Sequence, residues 1–148
     1  MRVPRDFTDG EDLPVLESFD DVVRAVGEHP GLLVRYSKGP ASDAKAGPSR
    51  DYEAGVDLPG WSVTTLEPES WWPRPPADWV ARRLCKYDEL DEPGRFAWLL
   101  TGRVVGQGPD HEPLVTDIEA VARVGRSALA EARRRYEERF DVGRGSTG

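Results

Sequence analysis

The sequence predicts a single α+β domain built on a mixed, largely antiparallel sheet with about three flanking helices. Three observations carry that expectation. The chain has 148 residues, 38% hydrophobic and 32% charged, which is the size and composition of one globular domain with a heavily solvated surface. Its apolar spacing switches between the 3.6-residue period of helices and the two-residue period of strands. The resulting order is helix, strand, long loop, strand, helix, strand, strand, helix, without the regular alternation that specifies a parallel sheet.

Residues 1–14 are polar and charged, with Pro4 and Pro14, and read as a flexible lead-in to a domain over residues 15–140. Ser18 is placed to cap a helix whose first turn holds Asp20 and Asp21, and Phe19, Val22, Val23 and Val26 share one face up to Gly27. His29-Pro30-Gly31 is a turn, and residues 32–36 form an apolar strand. Residues 38–60 are small, polar and rich in glycine and proline, too long and irregular for an ordinary connection. Residues 61–66, with Val63, Thr64 and Thr65, read as a strand, and a Pro- and Trp-rich turn follows. A helix over 77–87 places Trp79, Val80, Leu84 and Tyr87 on one side. Residues 96–105 form a strand between Pro93-Gly94 and Gly106-Gln107-Gly108-Pro109, and 114–116 and 118–124 are further strand. The last helix, 127–140, aligns Leu129, Ala132, Tyr136 and Phe140. Residues 141–148 read as a disordered tail.

The formal charge of -7 and a pI near 4.9 oppose a phosphate backbone, so no nucleic-acid partner is expected. Cys85 is the only cysteine and excludes an intramolecular disulfide. With no apolar leader and no run approaching the roughly 18 apolar residues of a membrane span, the reading is a cytoplasmic protein without a membrane partner.

Three segments offer chemistry. In Leu33-Val34-Arg35-Tyr36-Ser37, strand alternation sends Arg35 to the face opposite Val34 and Tyr36, and a guanidinium beside a glycine-rich loop suits phosphate or carboxylate; an exposed or ion-paired arginine is the other reading. Ser62 and Thr64 share one side of their strand and can bond a ribose or amide; equally, they are ordinary strand residues. Asp110 and Glu112 precede an apolar strand, where a carboxylate can orient a nucleophile or stabilise a developing cation; they also suit a solvated turn. Tyr52, in the long loop, can act as an aromatic platform. His29 and His111 are the two histidines, and no metal is assigned. Cys85 reads as packed rather than reactive.

Taken together, VRYSKGP, SRDYEAG, LPGWSV, LTGRVVGQGPDHEPLV and YEERFDVG resemble a small actinobacterial family catalogued as a domain of unknown function, over most of the chain. The order Arg35, then Ser62-Val63-Thr64, then Glu112 also resembles the arginine class of the ADP-ribosyltransferase fold. That resemblance implies NAD as cofactor, with Arg35 on its phosphate or ribose, Ser62 bracing the nicotinamide half, Glu112 as the catalytic carboxylate, and Tyr52 as a stacking partner. The serine triplet departs from Ser-Thr-Ser, Asp110 stands where Glu or Gln is usual, and Pro113 follows the glutamate.

The other reading is a protein interaction or regulatory module that uses Trp61, Trp71 and Trp72 as a partner surface, since tryptophan is enriched in interface hot spots. A third is a small-nucleotide binder that keeps the pocket without the chemistry. Function, and whether the chain is an enzyme, stay open at this point. The exposure of the indoles, and whether Arg35, Ser62 and Glu112 converge, discriminate the readings.

Overall fold

The structure, a computed structural model, describes residues 13–90 and 92–140. Its frame is one long antiparallel hairpin, β7 (Phe96–Gln107) and β8 (Pro113–Val124). The pairing register shifts between Leu99 and Leu100, between Thr101 and Arg103, and between Val104 and Gly106. Each such bulge adds twist and bends the ribbon. The middle shift coincides with Asp117, whose φ of 52° is left-handed, between the two strand segments that the sequence separates. Gly102 lies beside it, where a Cβ would sit 3.1 Å from the Thr116 carbonyl oxygen.

Strand β2 (Leu33–Ser37) pairs antiparallel with β7, and β6 (Thr64–Thr65) pairs with β2. At the far edge β1 (Val15–Leu16) runs parallel to β8. Two residues before β6, the same chain segment forms β5 (Trp61–Ser62), which pairs with the distal half of β8. Residues 61–65 thus connect one margin of the sheet to the other and curl it towards a half-barrel. The sheet is therefore mixed and largely antiparallel.

Strand alternation divides the apolar residues into two cores. Val34, Leu99, Ala122 and Val124 face helices α1 (Phe19–Glu28), α3 (Pro76–Leu84) and α4 (Arg126–Phe140), and meet Val22, Val80, Leu84 and Leu129 there. Leu33, Trp98, Leu100 and Val115 point into the concave side and pack with Val63 and Ala120. The Ser18 hydroxyl accepts from the Asp21 amide at 3.1 Å and caps α1, while Glu131 of α4 accepts the Phe19 amide at 2.7 Å. Helices α3 and α4 are joined through Asp78, which is fully buried and takes Arg135 Nε at 2.9 Å and Arg139 Nε at 3.3 Å, with Arg74 Nε at 3.7 Å.

Some local expectations change. The long loop contains a helix, α2 (Pro40–Ala46), and a small hairpin of β3 (Arg50–Asp51) and β4 (Val56–Asp57), so among the described residues four α-helices accompany the sheet. Helix α2 has no apolar stripe to reveal it: its buried residues are Pro40 and Asp43. The helix expected over 77–87 tightens at Cys85 into a 3-10 turn, Cys85–Glu89. The end of the lead-in is docked, because Leu13 is buried and the Pro14 carbonyl accepts the Arg123 amide at 2.8 Å. Residues 1–12 and the expected tail at 141–148 lie outside the described residues.

Two glycines give opposite tests of this packing. At Gly27, inside α1, an added Cβ meets nothing within 4 Å and φ is ordinary, so Gly27→Ala is expected to stabilise by about 0.5–1 kcal/mol. At Gly60 a Cβ would lie 2.7 Å from the Val115 carbonyl oxygen, so Gly60→Ala forces β5 away from β8 and is expected to cost about 1–3 kcal/mol. Urea unfolding midpoints of the two variants check the signs.

Candidate functional site

Pairing between β2 and β6 ends at Val34 and Thr64, because at Val63 the chain turns away to join β8, where the Val63 amide donates to the Pro113 carbonyl at 3.1 Å. Among the described residues, the rest of β2 is left without a strand on that side. Arg35 bridges the gap: one terminal nitrogen donates to the Ser62 carbonyl at 2.8 Å, and Nε donates to Asp43 of α2 at 2.6 Å. Asp43 also accepts the Ser37 hydroxyl at 2.8 Å, and Ser37 in turn accepts the indole N–H of the fully buried Trp98 at 2.9 Å. The Trp61 indole donates to the Asp43 carbonyl at 3.2 Å. Arg35 and Asp43 are nearly buried, so each needs the other: a charge taken out of water is tolerated only when paired and hydrogen-bonded.

Beside this network opens a polar cleft of about 750 Å³. Its floor is Arg35 and Tyr36 of β2 with Ser62 and Thr64. One side comes from the end of α3 and the 3-10 turn, with Arg83, Lys86 and Tyr87; another comes from the β7–β8 turn, with Asp110, His111 and Glu112. Tyr87 donates to the Thr64 hydroxyl at 3.2 Å and stacks on Tyr36, with ring centroids 6.0 Å apart and planes 19° from parallel. The β7–β8 turn is closed by the Gly108 amide donating to the Glu112 carbonyl at 2.8 Å, with His111 left-handed at φ 64°. The Glu112 carboxyl folds over Gly108, so close that any Cβ at that position would collide with it. Glycine at 108 is therefore what lets this carboxylate lie where it does.

The structure brings Arg35, Ser62, Thr64 and Glu112, far apart in the chain, to one cleft. Two of the three guanidinium nitrogens of Arg35 are occupied by Asp43 and Ser62. Tyr52 is 86% exposed and lines an adjoining hollow that also touches Arg35 and Ser62. The indoles split: Trp79 and Trp98 are buried, Trp61 and Trp72 are half-buried, and Trp71 is 68% exposed. Trp72 donates to the Pro75 carbonyl at 3.1 Å and packs edge-on against Trp79.

Sequence reasoning missed Asp43, Arg83, Lys86 and Tyr87 as site residues. The signal for the last three was the spacing: Arg83 and Lys86 are one helical turn apart, with Tyr87 next to them, on a segment read only for its apolar side. Burial pushes the Cys85 thiol up from its ordinary value, against the lowering effect of Arg133, and Sγ donates to the Arg82 carbonyl, so this thiol stays protonated at neutral pH. Among the described residues no group of three or more His, Cys, Asp or Glu is arranged to hold a metal ion, and no helix is long and apolar enough to cross a membrane.

The model of a family described as a family of unknown function (DUF6098) matches residues 9–146. No curated protein and no solved structure matches the chain. None of these comparisons carries the resemblance to ADP-ribosyltransferases.

The Arg35–Asp43 pair predicts a characteristic pattern of stabilities. Asp43→Ala leaves a nearly buried guanidinium and a buried Ser37 hydroxyl without their acceptor and is expected to cost about 3 kcal/mol, whereas the double replacement Arg35→Met with Asp43→Leu recovers most of that loss. A double-mutant cycle by urea denaturation measures the coupling; additive single losses would mean that the pair is not linked.

Proposed function

The chain belongs to that family of unknown function, so no relative lends it an activity, and we propose from the cleft itself that it is a binding module for a small polar ligand carrying both an anionic and a cationic group. The observation that carries this reading is the separation of charge within one cavity. Arg83 and Lys86 stand on the side built by α3 and the 3-10 turn, Asp110 and Glu112 stand on the side built by the β7–β8 turn, and Glu69, in the segment before α3, is a third carboxylate on the lining. Among the described residues neither Arg83 nor Lys86 has a carboxylate partner; each lies instead against an aromatic ring, Arg83 at 4.9 Å from the Trp79 centroid and Lys86 at 5.1 Å from that of Tyr87. A phosphate or carboxylate fits the first side and an ammonium or pyridinium the second. The hydroxyls of Ser62 and Thr64 supply neutral hydrogen-bonding groups between them.

Binding is favoured over catalysis by what Arg35 and Glu112 already do. Arg35 spends two of its nitrogens holding α2 and β5, and Glu112 covers its own turn. A residue engaged in the fold is poorly placed to follow the charge changes of a reaction.

Thermal unfolding and calorimetry with NAD, with ADP-ribose and with a panel of free amino acids test the proposal. NAD carries a pyridinium as well as phosphates, and ADP-ribose carries phosphates without the pyridinium. A ligand with both charges is expected to add about 2.7 kcal/mol at a hundredfold excess over Kd, a rise of roughly 5–10 °C in Tm for a domain of this size. Lys86→Glu and Glu112→Gln should each weaken that ligand about tenfold. Equal binding of NAD and ADP-ribose would remove the cationic half of the proposal, and no shift from any of these ligands at millimolar concentration would overturn it.

A further inference from the structure

The cations of α3 and the 3-10 turn serve a second concavity. Arg83 and Lys86 also line a hollow of about 390 Å³ together with Arg82, Trp71 and Trp79. Among the described residues no carboxylate lines it, in a chain whose formal charge is -7. Arg82, Arg83 and Lys86 make no ion pair among the described residues. Their side chains are nevertheless braced, Arg82 at 5.9 Å from the Phe140 ring, Arg83 over Trp79 and Lys86 over Tyr87. Bracing lowers the entropy lost when a charged side chain is fixed in an interface.

Beside these charges stands Trp71, 68% exposed yet held in place: its ring meets Trp72 at 6.2 Å and Trp79 at 5.9 Å, edge to face in both cases. An exposed, fixed indole ringed by unpaired cations is the arrangement found in interface hot spots, where aromatic and arginine side chains dominate.

We infer that the Trp71, Arg82, Arg83 and Lys86 surface docks an acidic segment of a partner protein, one that sets carboxylates against the three cations and an apolar side chain against Trp71. Charge complementarity selects the occupant. A generic apolar surface would not explain why cations gather here and carboxylates do not. The hollow is distinct from the cleft in three residues, the buried Trp79 and the more exposed Trp71 and Arg82, which line the hollow alone.

That distinction defines the test. Fluorescence anisotropy is measured with a fluorescein-labelled twelve-residue probe of alternating Glu and Leu, with an all-Glu probe and with a Lys/Leu probe of the same length, at low and at physiological salt. The full chain should bind the Glu/Leu probe saturably and more weakly as salt rises, the all-Glu probe less tightly, and the Lys/Leu probe not at all. Trp71→Ala and Arg82→Glu should each weaken the Glu/Leu probe about tenfold or more, and Trp71→Ala, which changes no charge, should leave the binding of any cleft ligand unchanged. No saturable binding of the Glu/Leu probe, equal binding of the Lys/Leu probe, or indifference to Trp71→Ala and Arg82→Glu would each overturn the inference. A cleft ligand that fails to bind while the peptide result stands would overturn only the cleft reading.

Discussion

One buried ion pair makes the rest of this architecture feasible. The segment 61–65 must leave β2 to reach β8, and on leaving it exposes the edge of β2 at Arg35. The guanidinium fills that opening by bonding the departing chain at the Ser62 carbonyl and, on its other side, the helix that packs beneath, through Asp43. With Asp43 in place, a neutral side chain at 35 would leave that nearly buried carboxylate without a compensating charge. Asp43 in turn fixes Ser37, and through it the indole of Trp98, at the centre of the concave core. The cleft exists because β5 and β6 go separate ways, and it keeps its shape because Arg35 holds them at a set distance.

Polar anchoring recurs wherever the chain is short of apolar surface. Helix α2 buries a proline and an aspartate. Helix α4 buries only Ala128, Leu129 and Ala132. It is held as well by Arg135 and Arg139 on Asp78, by Glu131 on the start of α1, and by Arg126 on the carbonyls of Asp88 and Leu90. Buried charges of this kind contribute less net stability than an apolar core of the same volume, but they fix geometry, because each is satisfied in one arrangement only.

This also explains what could be read from the sequence. Elements that bury an apolar stripe, such as α1 with Phe19, Val22 and Val26 or β7 with Trp98, Leu99 and Leu100, follow from periodicity. Helix α2 and the β3–β4 hairpin do not, because the bonds that place them run between residues remote in sequence, Arg35 with Asp43 and Ser49 with Ser62 and Gly60. Of the site, Arg35, Ser62, Thr64 and Glu112 were legible as polar residues in strand contexts, and the structure places all four on one cleft. An ion-paired Arg35 was among the readings, but its partner Asp43 was not legible, since it lies in a segment that reads as loop. Arg83 and Lys86 were obscured by the opposite effect: on a solvated helix face a cation is ordinary, and only the absence of an ion-pair partner among the described residues distinguishes these.

That absence is itself a product of the two clamps. Asp78 stands four residues before Arg82, the spacing at which a helix normally pairs an acid with a base, but Asp78 is buried and bound to Arg74, Arg135 and Arg139. Glu89 stands three residues after Lys86, a separation that a 3-10 turn brings face to face, but Glu89 is held by Arg133 at 2.8 Å. Anchoring α4 therefore withdraws the two local acids that would neutralise Arg82 and Lys86. The charge so released gathers between the exposed Trp71 and the polar cleft, on a molecule that is acidic elsewhere. Restoring a carboxylate beside these side chains would leave the cores untouched and cancel the field on which both recognition surfaces draw.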